Sequence, residues 1–168
     1  MVPVTVASLA AIAIQPLIAI LWILGPSYLA GLSVSAHSLG EVSGWVVLFA
    51  AAFVLILGLP AFLVLRRFDR VTARNLGAAG FLIASIPFAA LGWPGYPHPG
   101  YSAGGNWHGR PVEFVVDGVT TVYGWLHYVE GVFIYGVHGL TGALVFLFVW
   151  RRLKALTNGS SGRAYHLR

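Results

Sequence analysis

The sequence predicts an all-α polytopic membrane protein with four transmembrane helices in a bundle. The prediction rests on four long apolar runs, on the few charges between them, and on basic residues confined to alternate gaps. Of the 168 residues, 58% are hydrophobic and 9% are charged, whereas soluble domains carry about 25% charged residues. At about 20 apolar residues per span, the length suits four spans plus loops. We therefore expect a single four-helix transmembrane domain over residues 1–168.

The basic residues indicate which side of the membrane each gap faces. All but one of the ten Lys and Arg residues lie in the second gap or beyond the fourth run: Arg66, Arg67, Arg70, Arg74, Arg151, Arg152, Lys154, Arg163 and Arg168. Four of the five acids lie in the opposite gaps: Glu41, Glu113, Asp117 and Glu130. Lys and Arg stay on the cytoplasmic side during insertion. We therefore predict cytoplasmic termini and, from the small size and the Ala, Leu and Gly content, a multi-pass protein of the bacterial inner membrane.

The formal net charge of +5 lies beside membrane spans and not in a solvated patch. We therefore expect the lipid bilayer, with its anionic headgroups, as a partner and expect no nucleic acid. The chain contains no cysteine. Disulfides, thiolate metal sites, iron–sulfur clusters and thiol catalysis are thereby excluded.

The first span is predicted over residues 4–32. Its start lacks the positive charge of a secretory signal and its apolar run is longer than a signal core, so we interpret it as a retained span. Pro16 and Pro26 lie inside it, and we expect a kink or an early end near Gly25-Pro26. Gln15 is the only strongly polar side chain of this span. We expect it to bond to a neighbouring helix or to a carbonyl freed by a proline.

The second and third spans are predicted over residues 41–65 and 72–93. Ser38 and Glu41 match a capping box, which predicts a helix start. Small residues recur on one face of each helix, a pattern that lets another helix approach closely. They are Gly40, Gly44, Ala51 and Gly58 in the second span, and Ala73, Gly77, Gly80 and Ala84 in the third.

One long outer loop, residues 94–118, separates the third and fourth spans. Its Pro and Gly content argues against helix, and Pro111 to Val116 fits either a short strand or a segment lying on the membrane. The fourth span is predicted over residues 120–156, with Thr120 or Thr121 as N-cap and Asn158-Gly159 as its stop. Such a helix is about 50 Å long against a hydrocarbon core of about 30 Å, so we expect it to project outward.

Aromatic residues are frequent in the outer loop and at the adjoining ends of the spans, and include Trp93, Tyr123, Trp125 and Tyr128. Aromatic side chains at these positions are typical of an interfacial belt. The alternative is a docking surface for another membrane protein, a lipid or a cell-wall group. We favour the belt.

Four ionisable residues at the outer ends of the spans form two pairs at helical spacing, His37 with Glu41 and His127 with Glu130. Each pair shares a helical face, and helix-borne carboxylate–histidine pairs hold metals in bundles. One hypothesis is therefore a metal or haem site built from these four residues. In the structural alternative, Glu41 completes the capping box and Glu130 pairs with His127 across one turn.

His138 lies about 9–10 Å inside the apolar part of the fourth span, by helical rise. It shares a face with Gly124 and Gly131, so we expect it to point into the bundle. An ionisable residue inside a membrane is a functional-site hypothesis by default. The alternative, which we favour, is a neutral His138 that bonds to a neighbouring helix and holds the two together.

The chain matches no nucleophile, phosphate-binding or dinucleotide motif, which favours a non-enzymatic role and assigns no cofactor-binding residue; which cofactor the chain binds, if any, is unknown from the sequence. The first hypothesis is an accessory or scaffold subunit that packs against other membrane helices, as a homo-oligomer or in a larger membrane complex. The second is a small oligomeric transporter or channel with a polar path lined by Glu41, Glu130 and His138. The third is a metal- or haem-binding membrane enzyme that uses His37, Glu41, His127 and Glu130.

Overall fold

The computed structural model of the chain describes residues 2–29, 31, 33–95 and 99–164 and is mostly helical. Four helical stretches are long and apolar enough to cross a membrane: Val2–Trp22, Ala36–Arg67, Ala73–Leu91 and Val122–Thr157. The predicted helical, multi-pass character is confirmed at this level. The predicted end of the first span at residue 32 lies outside the described residues.

The first span is interrupted at Ile14, which separates helix α1 (Val2–Ala13) from helix α2 (Gln15–Leu29). Two residues later Pro16 lacks an N–H group, so the backbone ladder cannot continue unchanged through this point. The expected early end near Gly25-Pro26 is wrong, because α2 continues to Leu29. The expected kink stays a prediction. A proline near a helix end is compatible with helix where its missing bond can be made good locally.

The second span consists of helix α3 (Ala36–Phe53), a π-helical turn (Val54–Gly58) and helix α4 (Leu59–Arg67). Ser35 caps α3, since its hydroxyl accepts from the Ser38 backbone N–H at 3.1 Å. The predicted capping box of Ser38 and Glu41 is therefore wrong: the helix begins earlier. The π-helical turn ends two residues before Pro60, which has no N–H to donate, and its wider ring is closed by the Leu59 N–H, which donates to the Val54 carbonyl.

The third span, helix α5 (Ala73–Leu91), begins at the predicted residue, because Thr72 caps it by accepting from Asn75 N–H at 3.1 Å. Its small residues pack against helix α6 (Val122–Ala164), and this is the most extensive helix pair. Gly80 and Gly139 face each other so closely that a Cβ on either would meet the other's carbonyl oxygen. The small-residue face predicted for the third span therefore does bring two backbones together.

Helix α6 has 43 residues, so it is about 65 Å long and longer than a hydrocarbon core. Thr121 is its N-cap, accepting from Gly124 N–H at 3.1 Å, which confirms one of the two predicted caps. The predicted stop at Asn158-Gly159 is wrong, because the helix continues to Ala164. A single glycine costs a helix only about 1 kcal/mol relative to alanine and does not by itself end one.

The outer loop contains a small antiparallel sheet of strand β1 (Ala103–Trp107), strand β2 (Arg110–Val116) and strand β3 (Val119–Thr120), in the order β1-β2-β3. His108 and Gly109 turn the chain between β1 and β2 with φ of 51° and 80°, as in a type I′ hairpin. The strand alternative predicted for Pro111 to Val116 is confirmed. We call residues 103–116 the outer hairpin.

The buried core lies toward the arginine-rich end, where α1, α4, α5 and α6 meet. Its centre is Phe62, which is 1% exposed and packs edge-on against Phe146 and Trp150 at centroid distances of 4.8 and 5.2 Å. Helix α3 contributes no buried residue. In the most apolar stretch of Ala36–Arg67, 6% is buried inside the protein, whereas in the corresponding stretch of Val2–Trp22 the buried share is 28%.

We predict that Gly139→Ala destabilises the protein by about 1–3 kcal/mol, because the added methyl meets the Gly80 carbonyl and the Ala84 side chain. The matched control is Gly40→Ala, at a position where no described heavy atom lies within 4 Å of an added Cβ. There we expect a change of at most about 1 kcal/mol, toward greater stability. Equilibrium unfolding in mixed micelles measures both, and equal effects would contradict the close contact.

Candidate functional site

The polar contact inside the membrane-spanning region joins Gln15 of α2 to His138 of α6. His138 Nδ1 lies 2.8 Å from Gln15 Oε1, and Gln15 Nε2 donates to the backbone carbonyls of His138 and Ala11, each at 3.2 Å. An amide oxygen only accepts, so His138 Nδ1 carries the proton in this arrangement. The oxygen and both N–H groups of the Gln15 amide therefore have partners, although the residue is only 6% exposed.

Gly142 provides the space for this contact. It lies one turn beyond His138 on α6, and a Cβ at this position would approach Gln15 Nε2 to 2.7 Å. The break at Ile14 places Gln15 at the first residue of α2, next to α6. We call the three residues Gln15, His138 and Gly142 the polar node.

The contacts of the polar node bear on two predictions made from the sequence. Gln15 does bond to a neighbouring helix, as predicted. His138 is half-buried and hydrogen-bonded across a helix pair, which is the geometry that the structural interpretation requires. A functional role of His138 stays a prediction. The involvement of Gly142 was missed, because nothing in a helix pattern shows which distant side chain an individual glycine will face.

Glu130 is bonded to the outer hairpin. Its Oε2 accepts a hydrogen bond from Trp107 Nε1 at 2.6 Å, and its carboxylate oxygens lie 3.1 and 3.2 Å from His108 Nε2. The predicted pairing with His127 is therefore wrong. The His127 ring instead stacks on Phe114 of the hairpin at a centroid distance of 4.8 Å. Both side chains turn toward the hairpin because it covers this part of α6 and offers closer partners than the adjacent helical turn.

Two threonine hydroxyls just before α6 bond to earlier parts of the chain. Thr121 Oγ1 donates to the Glu113 carbonyl of the hairpin at 2.6 Å, and Thr120 Oγ1 of β3 donates to the Pro94 carbonyl, which precedes the hairpin, at 2.6 Å. Gly124 lies directly beneath the Phe114 carbonyl, where a Cβ would not fit. The hairpin is thus bonded to the N-cap of α6 through Thr121 and to a later turn of α6 through Glu130.

His37 and Glu41 lie together on one face of α3, as their spacing predicts, with 3.3 Å between His37 Nε2 and Glu41 Oε1. Their side chains are 84% and 63% exposed. An exposed pair of this kind contributes little to stability. Across the described ranges, no group of three or more His, Asp or Glu side chains is placed to hold a metal ion. The four-residue metal site, with His37, Glu41, His127 and Glu130, stays a prediction.

Aromatic side chains cluster where α5 ends and α6 begins its apolar part. Trp93 packs edge-on against Trp125 and Tyr128 at centroid distances of 5.3 and 5.7 Å. The Tyr128 hydroxyl donates to the Ala89 carbonyl at 2.8 Å. Rings with a polar tip and an apolar body suit a membrane–water boundary. The arrangement is compatible with the interfacial belt.

No protein-family model matches the chain, and neither a curated protein nor a solved structure matches it. Among the described side-chain contacts, those of Gln15 and His138 join two helices, and those of Glu130 join the outer hairpin to α6.

We predict that Gln15 and His138 are energetically coupled. Interhelical hydrogen bonds in membranes contribute about 0.6 kcal/mol on average and at most about 1.7 kcal/mol. A double-mutant cycle of Gln15→Met and His138→Phe, measured by unfolding in mixed micelles, should give a coupling energy in this range. Gln15→Met with Tyr135→Phe is the control cycle. Zero coupling in the first cycle would show that the contact does not hold the helices together.

We predict that Glu130→Ala loosens the outer hairpin. Hydrogen bonds to a charged group contribute about 1.5–3 kcal/mol, so amide exchange in residues 103–116 should accelerate by about tenfold or more. The control is Glu41→Ala, which removes the carboxylate of an exposed pair far from the hairpin. Hydrogen exchange read by mass spectrometry measures both variants. Unchanged exchange in Glu130→Ala would contradict the role assigned to the carboxylate.

Proposed function

We propose that the chain is a non-enzymatic accessory or scaffold subunit of a bacterial inner membrane, which packs its second span against helices of another membrane protein. The observation that carries the proposal is the open small-residue face of α3. Gly40 and Gly44 lie on this face, and an added Cβ at either position meets no described atom within 4 Å. Ala51 lies about two turns beyond Gly44 on the same face and is half-buried.

The small residues of the other spans support this interpretation by contrast. Gly80 and Gly139 bring α5 and α6 together, Gly131 receives the ring of Phe88, and Gly142 receives Gln15. Small residues thus serve close packing wherever the chain supplies a partner. Gly40 and Gly44 of α3 also lie one helical turn apart on a single face, but no described part of this chain packs against them.

The membrane makes such a face a better docking surface than it would be in water. Lipid tails are as apolar as leucine, so helices associate through close van der Waals packing and not through removal of apolar surface from water. Glycines that expose a flat backbone surface allow that packing. The exposed rings of Trp45 and Phe49 lie on a different flank of α3 and are suited to lipid contact.

The proposal includes an orientation. With the arginine-rich gaps on the cytoplasmic side, both termini lie in the cytoplasm, the four spans form one bundle, and the outer hairpin lies in the periplasm. The open face of α3 would then be nearer to the outer leaflet, because Gly40 and Gly44 lie in the first turns after the outer connection.

No described contact favours the two alternative functions. A transport path requires Glu41, Glu130 and His138 to line a common passage, and they bond to His37, to the outer hairpin and to Gln15 respectively. A metal- or haem-dependent enzyme requires the two His–Glu pairs to converge. We therefore propose neither a transport function nor a metal- or haem-dependent activity.

We predict that Gly44→Leu disrupts assembly without disturbing the chain's own fold. The new side chain meets no described atom of this chain, yet it prevents a partner backbone from approaching. The control is Ala52→Leu, an exposed position on another flank of α3. Blue-native electrophoresis of mildly solubilised membranes should show the assembled species in the wild type and in Ala52→Leu but not in Gly44→Leu.

A second measurement separates assembly from folding. Because the chain contains no cysteine, spin labels at Gly44→Cys and Trp45→Cys report one site each, at nearly the same depth but about 100° apart around the helix. Both positions are exposed in the isolated chain. In native membranes the label at position 44 should be shielded from oxygen and the label at position 45 should be accessible. Equal accessibility of the two labels in native membranes would overturn the proposal.

A further inference from the structure

A groove of about 350 Å³ lies at the arginine-rich end, between the start of α5 and the later turns of α6. Its apolar floor is formed by Leu144, Leu147 and Phe148. Ala73, the first residue of α5, forms one wall, and Arg151 and Arg152 close one end. The groove thus combines an elongated apolar floor with two guanidinium groups at one end.

Both arginines are held in place by the protein. Arg151 Nη2 donates to the Val71 carbonyl at 3.1 Å, which uses one of its five N–H groups. The Arg152 guanidinium carbon lies 5.3 Å from the centroid of the Phe148 ring. Among the residues that the structure describes, neither forms an ion pair with a carboxylate. Their remaining donors are therefore available to an anionic ligand.

The surroundings of the groove are also positive. The connection between α4 and α5 and its flanks carry four arginines against one acid, Asp69: Arg66, Arg67, Arg70 and Arg74. Clusters of basic residues immediately outside a membrane span attract anionic lipid headgroups, at roughly 1 kcal/mol per residue, which is about fivefold in affinity. Guanidinium groups in addition pair with phosphate oxygens in a bidentate geometry.

We propose that this groove binds one anionic glycerophospholipid from the adjacent membrane leaflet. One acyl chain lies along Leu144, Leu147 and Phe148, and the phosphodiester contacts Arg151 and Arg152. Ala73 keeps the groove open, since a larger side chain at this position fills the space of the acyl chain. The site depends on the chain spanning a bilayer and not on assembly through α3.

Native mass spectrometry of the full chain in detergent tests the headgroup contact. Dioleoyl phosphatidylglycerol should bind at least about tenfold more tightly than dioleoyl phosphatidylcholine, which has the same acyl chains and no net charge. Arg152→Gln should weaken phosphatidylglycerol binding by about fivefold, and Arg151→Gln with Arg152→Gln by about 30-fold. Equal affinity for the two lipids overturns the proposal.

Two matched controls separate this site from general attraction by positive charge. Arg66→Gln with Arg67→Gln removes the same charge from the same end of the protein, outside the groove, and should weaken binding several-fold less than Arg151→Gln with Arg152→Gln, because these two arginines attract the headgroup without contacting it. Ala73→Phe should weaken binding of phosphatidylglycerol, whereas Ala78→Phe, on the exposed face of α5, should not. An equal loss in Arg66→Gln with Arg67→Gln, or full affinity in Ala73→Phe, overturns the proposal.

Inorganic phosphate distinguishes a lipid from a free anion. Millimolar phosphate lacks an acyl chain and should not displace phosphatidylglycerol from the wild-type chain. Displacement by phosphate alone would show that the two arginines bind the anion without the apolar floor, and the lipid assignment would then be wrong.

Discussion

Every polar group within a lipid-embedded segment must find its hydrogen-bond partner inside the protein, because the hydrocarbon core contains no water. The described part of the chain meets this requirement: it leaves no buried side-chain nitrogen or oxygen without a partner. Gln15 bonds to Ala11 on its own span and to His138 on α6, so one amide is satisfied by two helices.

The outer hairpin is subject to a different constraint. It is held by polar contacts to Glu130 and Thr121 and by stacking of Phe114 on His127. Such contacts are strong only where water is partly excluded, and the Glu130 side chain is 28% exposed. Close packing through glycine thus joins the spans, and hydrogen bonding joins the hairpin to the helix that projects beneath it.

Local features were predictable from the sequence and contacts between distant residues were not. Thr121 was identified as one of two possible caps because a cap is read from a few neighbouring residues. The start of α3 was misplaced because serines at positions 35 and 38 both offer a capping hydroxyl, and only the surrounding chain decides between them. The partners of Glu130 come from Trp107 and His108, more than 20 residues away. No periodicity in the sequence predicts a contact between residues so far apart in the chain. The contact between Gly142 and Gln15 could not be predicted for the same reason.

The unbroken course of α6 joins the two ends of the molecule mechanically. Glu130 fixes the outer hairpin to one part of this helix, and Arg151 fixes the connection before α5 to another. The two positions are about 32 Å apart by helical rise. Because a continuous α-helix bends little over such a length, a tilt imposed on its outer part must displace its basic part in the opposite direction. Gly139, which meets Gly80 on α5, lies between these two positions and is the point about which such a tilt would turn.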